Sequence, residues 1–336
     1  MNRIEKGLLN MINNQWYGIL ESKEVKSNKP IGITRLGEKL VFWRSESGKV
    51  NCIFDKCCHR GAAISAGKVI HDKMMCPFHG FEYDSSGKVT LIPANGKNTP
   101  VPERYKVHSY LVEEKYGLIW LWYGEILDNM PEIPFFKELR EGFSYGGFSE
   151  MWSVNYTRAI ENQLDVVHLP FVHTSSIGRG NKTLVNGPVV KWEDNLMTFY
   201  VNNVVDDGKT KPLKPNEIKN YKKLFSLQLQ MPNIWQNIIS KDIRIVAIFA
   251  PIDEDHTQIY IRFYQKFMKV PILKQIVNTM STFSNKYILH QDRRIVLTQT
   301  PIKSELTMNE NLIQGDMPII EYRRRRAFLK GEIEKK

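Results

Sequence analysis

Four residues constrain this 336-residue chain more than any others: Cys57, His59, Cys76 and His79. They form C-x-H, sixteen intervening residues, then C-x-x-H. Two thiolates and two imidazoles suffice for a tetrahedral zinc. Zinc fingers, however, pair two cysteines in one arm with two histidines in the other. Here each arm brings one of each. That division suits a binuclear iron–sulfur cluster with unlike irons, one held by both cysteines and the other by both histidines. The arm composition favours the cluster, with structural zinc as the alternative.

The rest of the chain narrows the field. The two remaining cysteines, Cys52 and Cys58, are too few for a disulfide framework, and reduced thiols point to the cytoplasm. No apolar run approaches the length of a membrane span, and the N-terminal stretch lacks the apolar core of a secretory signal. Lysine and arginine exceed aspartate and glutamate by 47 − 36 = 11. The excess is scattered apart from Lys219–Lys223 and Arg323–Arg326, and no nucleic-acid motif accompanies it. A solvated basic surface is expected. The exposed charged tail from Arg323 reads first as solvated, with docking of an acidic electron carrier at Arg323–Arg326 as the alternative.

Residues 15 to 125 read as short strands at Ile31–Leu36, Leu40–Arg44, Val50–Phe54, Val89–Ile92 and Leu118–Trp122, separated by glycine turns. A small antiparallel domain over 1–125 follows, including an N-terminal extension. A proline-bearing connector at 126–135 opens a second domain, 126–336. There the pattern predicts a helix over 155–168 and strands over 185–205, 224–240, 242–252 and 257–267. Asp253 to His256 read as a hairpin turn rather than a metal site. Pro271 opens a long helix to about Gln299. Leu273, Val277, Ser281, Ser284, Ile288 and Ile295 share one of its faces, expected to be buried.

A second group of metal-capable residues lies in this domain. On the predicted helix 155–168, Asn162, Asp165 and His168 share one face. His173 follows after the turn at Pro170, so the two imidazoles could converge. On the long helix, Asp292 falls inside the apolar stripe, whereas His290, Arg293 and Arg294 point away. A buried carboxylate needs a partner or a metal. Two histidines and one carboxylate with open positions form the facial triad of non-haem Fe(II) oxygenases. A hydrogen-bonded histidine pair and a buried salt bridge are the plainer readings of the same residues.

Cys57-x-His59-Arg60-Gly61 with Cys76-Pro77-x-His79-Gly80, followed by Asn162-x-x-Asp165-x-x-His168-x4-His173 and a later aspartate, resembles the Rieske non-haem iron oxygenases. Phe81 stands where that family usually has tryptophan. Ala62 and Phe78 occupy the positions that carry two further cysteines in respiratory Rieske proteins, so that disulfide cannot form. The length is similar to that of the α-only homotrimeric group, which includes vanillate and dicamba O-demethylases and saxitoxin-pathway hydroxylases.

The resemblance implies an α+β chain: an N-terminal all-β Rieske domain followed by a helix-grip domain whose antiparallel sheet wraps the long helix. It implies a [2Fe–2S] cluster on Cys57, His59, Cys76 and His79, and a mononuclear Fe(II) on His168, His173 and Asp292. Asp165 would bridge His79 of a neighbouring subunit to His168 in a head-to-tail homotrimer, and Asn162 would lie near the iron. The implied enzyme takes electrons from a ferredoxin or flavin reductase, and so indirectly from NAD(P)H. With dioxygen it hydroxylates or demethylates a small aromatic or polycyclic compound. Cis-dihydroxylation is the alternative reaction, and a Rieske electron-transfer protein fused to a ligand-binding domain is the non-enzymatic one. Phe171, Met231, Ile234 and Trp235 are expected in the substrate pocket.

Overall fold

A computed structural model describes residues 11–334. Most of the N-terminal stretch read for a secretory signal lies outside them. The chain divides between Ile133 and Pro134 into two compact units, inside the segment whose prolines deny strand and helix their backbone donors.

The first unit is all-β apart from short helical turns. Strands β1 (Gln15–Glu21), β10 (Leu118–Tyr123) and β9 (Val112–Lys115) form one sheet, and β2 (Ile31–Arg35), β3 (Glu38–Arg44) and β4 (Val50–Phe54) a second. The third runs in sequence order through β5 (Lys68–Ile70), β6 (Lys73–Met75), β7 (Glu82–Tyr83) and β8 (Val89–Leu91). All five predicted runs are strands to within two residues at each end. The third sheet went partly unread because β5, β6 and β7 have two or three residues each, too few for alternation to register. A core of Val41, Trp43, Ile53, Ile64, Met74 and Tyr83 reaches to Cys57 and Cys76.

The second unit is built on one seven-stranded antiparallel sheet. Its order is β11 (Ser144–Trp152), β17 (Thr257–Gln265), β16 (Ile243–Pro251), β15 (Ile234–Ser240), β14 (Phe225–Gln230), β13 (Leu196–Val204) and β12 (Leu184–Glu193). The predicted strands 185–205 and 224–240 are each two strands. One turns at Asp194, whose φ is +50°, and the other at 231–233. Neither turn contains glycine; the signals were Asp194-Asn195 and Pro232-Asn233, turn-forming pairs inside otherwise continuous runs. Asp253 to His256 form the expected turn, with Asp253 Oδ1 accepting from the backbone N–H groups of Asp255 and His256.

Helix α1 (Tyr156–Leu164) starts where Asn155 caps Thr157 N–H, and it stops at Leu164, four residues before the predicted end. A single turn, α2 (Leu169–Val172), follows. Helix α3 (Pro271–Val296) packs on β11 and β17. In its C-terminal half Asp292 is buried as expected, but between Leu289 and Val296 rather than on the predicted face: Ile288 is half-buried and Ile295 is 42% exposed. The N-terminal half departs further. Leu273 is 47% exposed, and with Ile272, Ile276, Met280, Phe283 and Tyr287 it forms an apolar stripe facing solvent. On the other side Asn278 meets Gly146 of β11. The small residue lets the backbones approach, and a polar side chain takes the contact.

The tail is also different from expectation. Arg323 and Arg326 belong to helix α4 (Met317–Leu329) and are 3% and 2% exposed. Arg323 pairs with Glu161 at 2.6 Å and Glu310 at 2.7 Å, while Arg158 pairs with the same two glutamates at 3.0 and 2.6 Å. This closed network of two cations and two anions pins α4 to α1. With Arg326 buried against Ser304 O and Glu305, half of the basic run is unavailable to a docking surface.

Candidate metal centres

The first centre is assembled from two loops of the same construction. In one, Cys57 N–H donates to Ala62 O and Gly61 N–H to Cys57 O, at 2.8 and 2.9 Å. In the other, Cys76 N–H donates to Phe81 O and Gly80 N–H to Cys76 O, at 2.8 and 3.1 Å. Gly61 and Gly80 both have positive φ, +76° and +72°. A residue without Cβ adopts this left-handed turn freely, which is why each arm ends in glycine. The first loop runs from β4 of one sheet to β5 of another, and the second closes the β6–β7 hairpin.

The donors are arranged asymmetrically. Cys57 and Cys76 are buried in the core, whereas His59 and His79 sit at the rim, with ring centroids 4.5 Å apart. Phe81 stacks on His59 at 4.9 Å, filling the place where tryptophan was expected. The Tyr83 hydroxyl donates to Cys57 Sγ at 3.0 Å and lies 3.3 Å from Cys58 Sγ. Burial pushes the Cys76 thiol above the ordinary range, and the adjacent Cys57 adds to this. Backbone N–H groups of Phe78 and His79 oppose it, as donors aimed at a sulfur that carries charge when metal-bound. Loss of solvation, then the neighbouring His59 and Arg60, lower His79 and so leave it neutral, the form that ligates. Buried thiols with exposed imidazoles fit a cluster whose histidine-bound iron faces outward. Cys52 is buried away from these atoms in β4, and Cys58 is exposed.

The second centre joins three elements. One ligand-capable atom from each of His168, His173 and Asp292 lies within 4.8 Å of the others, and among the described residues this is the group that could hold a single metal ion. Local folding explains the convergence. Asp165 leaves the helix with extended backbone, φ −75° and ψ 117°. Its Oδ1 accepts from Val167 N–H at 2.7 Å and His168 N–H at 3.2 Å, an Asx turn that starts α2. Thus Asn162, Asp165 and His168 are not three positions on one helix face, as the 155–168 helix implied. Asp165 ends α1, and His168 and His173 bracket the single turn of α2.

Asp292 Oδ1 is 2.9 Å from His173 Nε2 and 3.4 Å from His168 Nε2. Neither contact is aligned as a hydrogen bond, and this buried oxygen has no other partner. The three groups point at a common place rather than at one another, which is the geometry a metal ion would satisfy. Burial pushes the Asp292 carboxyl up, but the two imidazoles more than offset this and hold it below the usual range. His168 is desolvated as well, yet Asp165 and Asp292 raise it to about 9. A cation bound here takes the place of that proton.

Each imidazole has a flanking group at its far nitrogen, hydrogen-bonded at His173 and only close by at His168, whose Nδ1 has no hydrogen-bond partner. His173 Nδ1 lies 2.9 Å from Gln291 Oε1, which also accepts from Ser176 Oγ at 2.9 Å. The carboxamide nitrogen faces Ser175 Oγ and Tyr287 Oη. Gln291 Oε1 can only accept, so Nδ1 carries the proton and Nε2 presents its lone pair. Asp165 Oδ2 stands 3.5 Å from His168 Nδ1. Burial raises Asp165, and His168 with two backbone N–H groups brings it below its ordinary value. Gln291 and Ser176 were missed in the sequence. Adjacency to Asp292 was the only signal for Gln291.

The triad sits at a cavity of about 440 Å³ lined also by Asn162 and Gln163. Of the four expected pocket residues only Trp235 lines it. Phe171 is 65% exposed, while Met231 and Ile234 are packed in the core.

Fold and site together define a two-part iron protein, an iron–sulfur domain followed by an oxygenase domain. The Rieske [2Fe-2S] domain matches residues 15–110, and the vanillate O-demethylase oxygenase C-terminal domain matches 152–330. The chain belongs to the Rieske oxygenases, as an oxygenase (alpha) component. The cofactors of that family are a [2Fe–2S] cluster and a mononuclear iron that works with dioxygen.

Among relatives, the vanillate O-demethylase oxygenase subunit of Pseudomonas sp. (strain HR199 / DSM 7063) is 33% identical over 198 residues, 57% of this chain and 54% of that one. Chlorophyllide a oxygenase of Chlamydomonas reinhardtii is 36% identical over 180 residues, 53% of this chain and 26% of that one. The chain thus spans from about a quarter to about half the length of such relatives. Pseudomonas putida CBB5 NdmA with caffeine superposes with a TM-score of 0.77 at 22% identity, covering 98% of this chain and 93% of that one. Dicamba monooxygenase bound to dicamba gives 0.74 at 20%, covering 96% and 98%. At these identities the solved structures share the fold.

Proposed function

We propose that this chain is the terminal component of a Rieske oxygenase system, and that it hydroxylates or demethylates a small aromatic or polycyclic compound at the expense of dioxygen. One observation carries the reading: His168, His173 and Asp292 converge at the end of a cavity, in a chain whose other unit presents two cysteines and two histidines from paired loops. A carrier of electrons alone has no use for the triad.

Cys57, Cys76, His59 and His79 would hold the cluster, and His168, His173 and Asp292 the mononuclear iron. When bound, these groups supply stored electrons and the activation of dioxygen. The chain's own part is to orient and to exclude. Asp165 and Gln291 fix the rings of His168 and His173. His168, His173 and Asp292 would hold the metal where the cavity places a bound substrate beside it. The apolar cavity walls keep bulk water from the reacting carbon.

Electrons would come from a ferredoxin or flavin reductase, in the cytoplasm. We infer a homotrimer in which His79 of one subunit meets Asp165 of the next. Two features support it. His59, His79 and Phe78 are exposed at the tip of the first unit, and the α3 stripe is a large apolar face left open in one chain. Monooxygenation is the preferred outcome by analogy with the demethylases among the relatives, and cis-dihydroxylation is the alternative.

The test is substrate-dependent oxygen uptake by the iron-loaded protein with a reductase, over methoxyarenes, aromatic amides and polycyclic amines. Uptake coupled to a hydroxylated or demethylated product is expected. A protein that accepts electrons and binds such compounds, yet consumes no oxygen with any of them, is the fused electron carrier instead.

A further inference from the structure

The cavity beside the triad is unusual in where it places charge. Its acidic residues are Asp165 and Asp292, and its histidines are His168 and His173. All four belong to the metal centre. No lysine or arginine is among its described lining residues. The remaining polar residues are Asn162, Gln163, Asn237 and Asn285.

Asn285 donates to the carbonyl of Ser281 on its own helix at 2.8 Å. Asn162, whose Nδ2 is buried without a partner, and Gln163 lie on the last turn of α1, next to the triad rather than in the apolar wall. Asn237 is different. It lies in the middle of β15, with Trp235 and Ile239 two residues away on the same face of the strand. Its cross-strand neighbours are Leu227 and Ile245, which also line the cavity. An amide thus stands among five apolar side chains, counting Ile261 of β17. Its Oδ1 is buried without a partner, and so is Nε1 of Trp235.

Unpaired polar groups in an apolar wall are unfavourable, so a strand position that keeps one calls for a missing partner. In ligand sites a few such groups fix orientation while the apolar walls supply contact. A carboxamide offers both an acceptor and a donor, whichever way it is turned. Trp235 adds a donor. The complementary ligand presents both kinds of group. A carboxylate presents acceptors only, and at the Asn237 end, away from the triad, no lysine or arginine lines the wall to meet it.

Arg179 and Lys182 do line an outer groove, which shares Leu169, Ile177, Val201 and Phe225 with the cavity. Both are exposed. A charge near them stays in water, where pairing contributes little.

We propose that the buried end of the substrate is uncharged and amide-like, a carboxamide, lactam or imide on an aromatic or polycyclic frame, and that Asn237 with Trp235 reads it. This rests on the cavity being the substrate site of the oxygenase reading.

The test is titration calorimetry on the cluster- and iron-loaded protein with meta-methoxybenzamide, meta-methoxybenzoate and methoxybenzene. The benzamide should bind at least about tenfold more tightly than the benzoate. Asn237→Leu should remove that preference while binding methoxybenzene as well or better, and its melting temperature should match or exceed wild type. Asn237→Ala, which adds no bulk, carries the same affinity comparison. Equal affinity for benzamide and benzoate, no binding of the benzamide, or a benzamide affinity unchanged in both variants would overturn the proposal. Binding is read as heat rather than turnover. A chain that binds the benzamide through Asn237 but consumes no oxygen therefore refutes the oxygenase reading alone, and an active oxygenase indifferent to Asn237 refutes this one alone.

Discussion

The two metal centres are built on opposite plans. The cluster loops are local: four donors within 23 residues, two loops with the same turn, one glycine closing each. The second centre is non-local. Its histidines bracket one turn of helix, and its carboxylate arrives from a different helix more than a hundred residues later. A local site depends on turn chemistry. A non-local one depends on the packing of the elements that carry it, here α2 and α3, with α1 leading into α2 and itself pinned by α4.

Substitutions that separate the centres test this difference most severely. Asp292→Ala should bind Fe(II) more than about a hundredfold more weakly at the second centre, since even loss of a supporting group costs about 10–100-fold. The visible absorption of the cluster should be unchanged. Cys76→Ala should do the reverse, colourless yet still binding one Fe(II). Loss of both signals in either variant would show that the centres are not independent.

Packing should matter next. Glu161→Ala leaves Arg158 and Arg323 facing each other with only Glu310 between them. Breaking a buried pair costs about 3–5 kcal/mol, so thermal unfolding should move down by several degrees. Fe(II) binding at His168 and His173 should weaken with it, because α1 leads into both. An unchanged melting temperature would mean that the network is decoration.

Gln291→Leu is a finer probe of the same centre. It removes the acceptor that holds His173 Nδ1–H, and Fe(II) affinity should fall about 10–100-fold with little change in stability. Gln291→Glu, which keeps the acceptor, should bind more tightly than the leucine variant.

The smallest effect concerns acid. Burial alone would raise Glu310, but Arg158 and Arg323 hold it below its ordinary 4.5. A depressed folded-state value contributes stability that is fully present above 4.5 and is lost as pH falls through the folded value. Stability from pH 5 downward should therefore decline less steeply in Glu310→Gln than in wild type, measured by denaturant titration.

How much of this was legible follows the same division. The Cys–His loops and the strands Val50–Phe54 and Leu118–Tyr123 were readable because turn residues and short apolar runs are local signals. Asp292 was readable because a carboxylate within an apolar stripe is anomalous wherever the helix packs. The stripe itself misled at its other end. Periodicity says which residues share a face, but not whether that face is covered, and Leu273 and Ile276 are left in the open. Arg323 and Arg326 looked like a solvated tail because their partners Glu161, Glu305 and Glu310 are far away in the sequence. Asp165 looked helical because it lies between helical residues; its side chain, by accepting from Val167 and His168, ends the helix instead.

The central claim is that one chain holds two distinct iron centres, on the residues named. Iron and acid-labile sulfide analysis of the anaerobically loaded protein tests it most directly. About three irons and two sulfides per chain are expected, with one iron lost in Asp292→Ala and both sulfides kept. A protein that carries zinc and no sulfide, or an Asp292→Ala variant that keeps the third iron, would contradict the account.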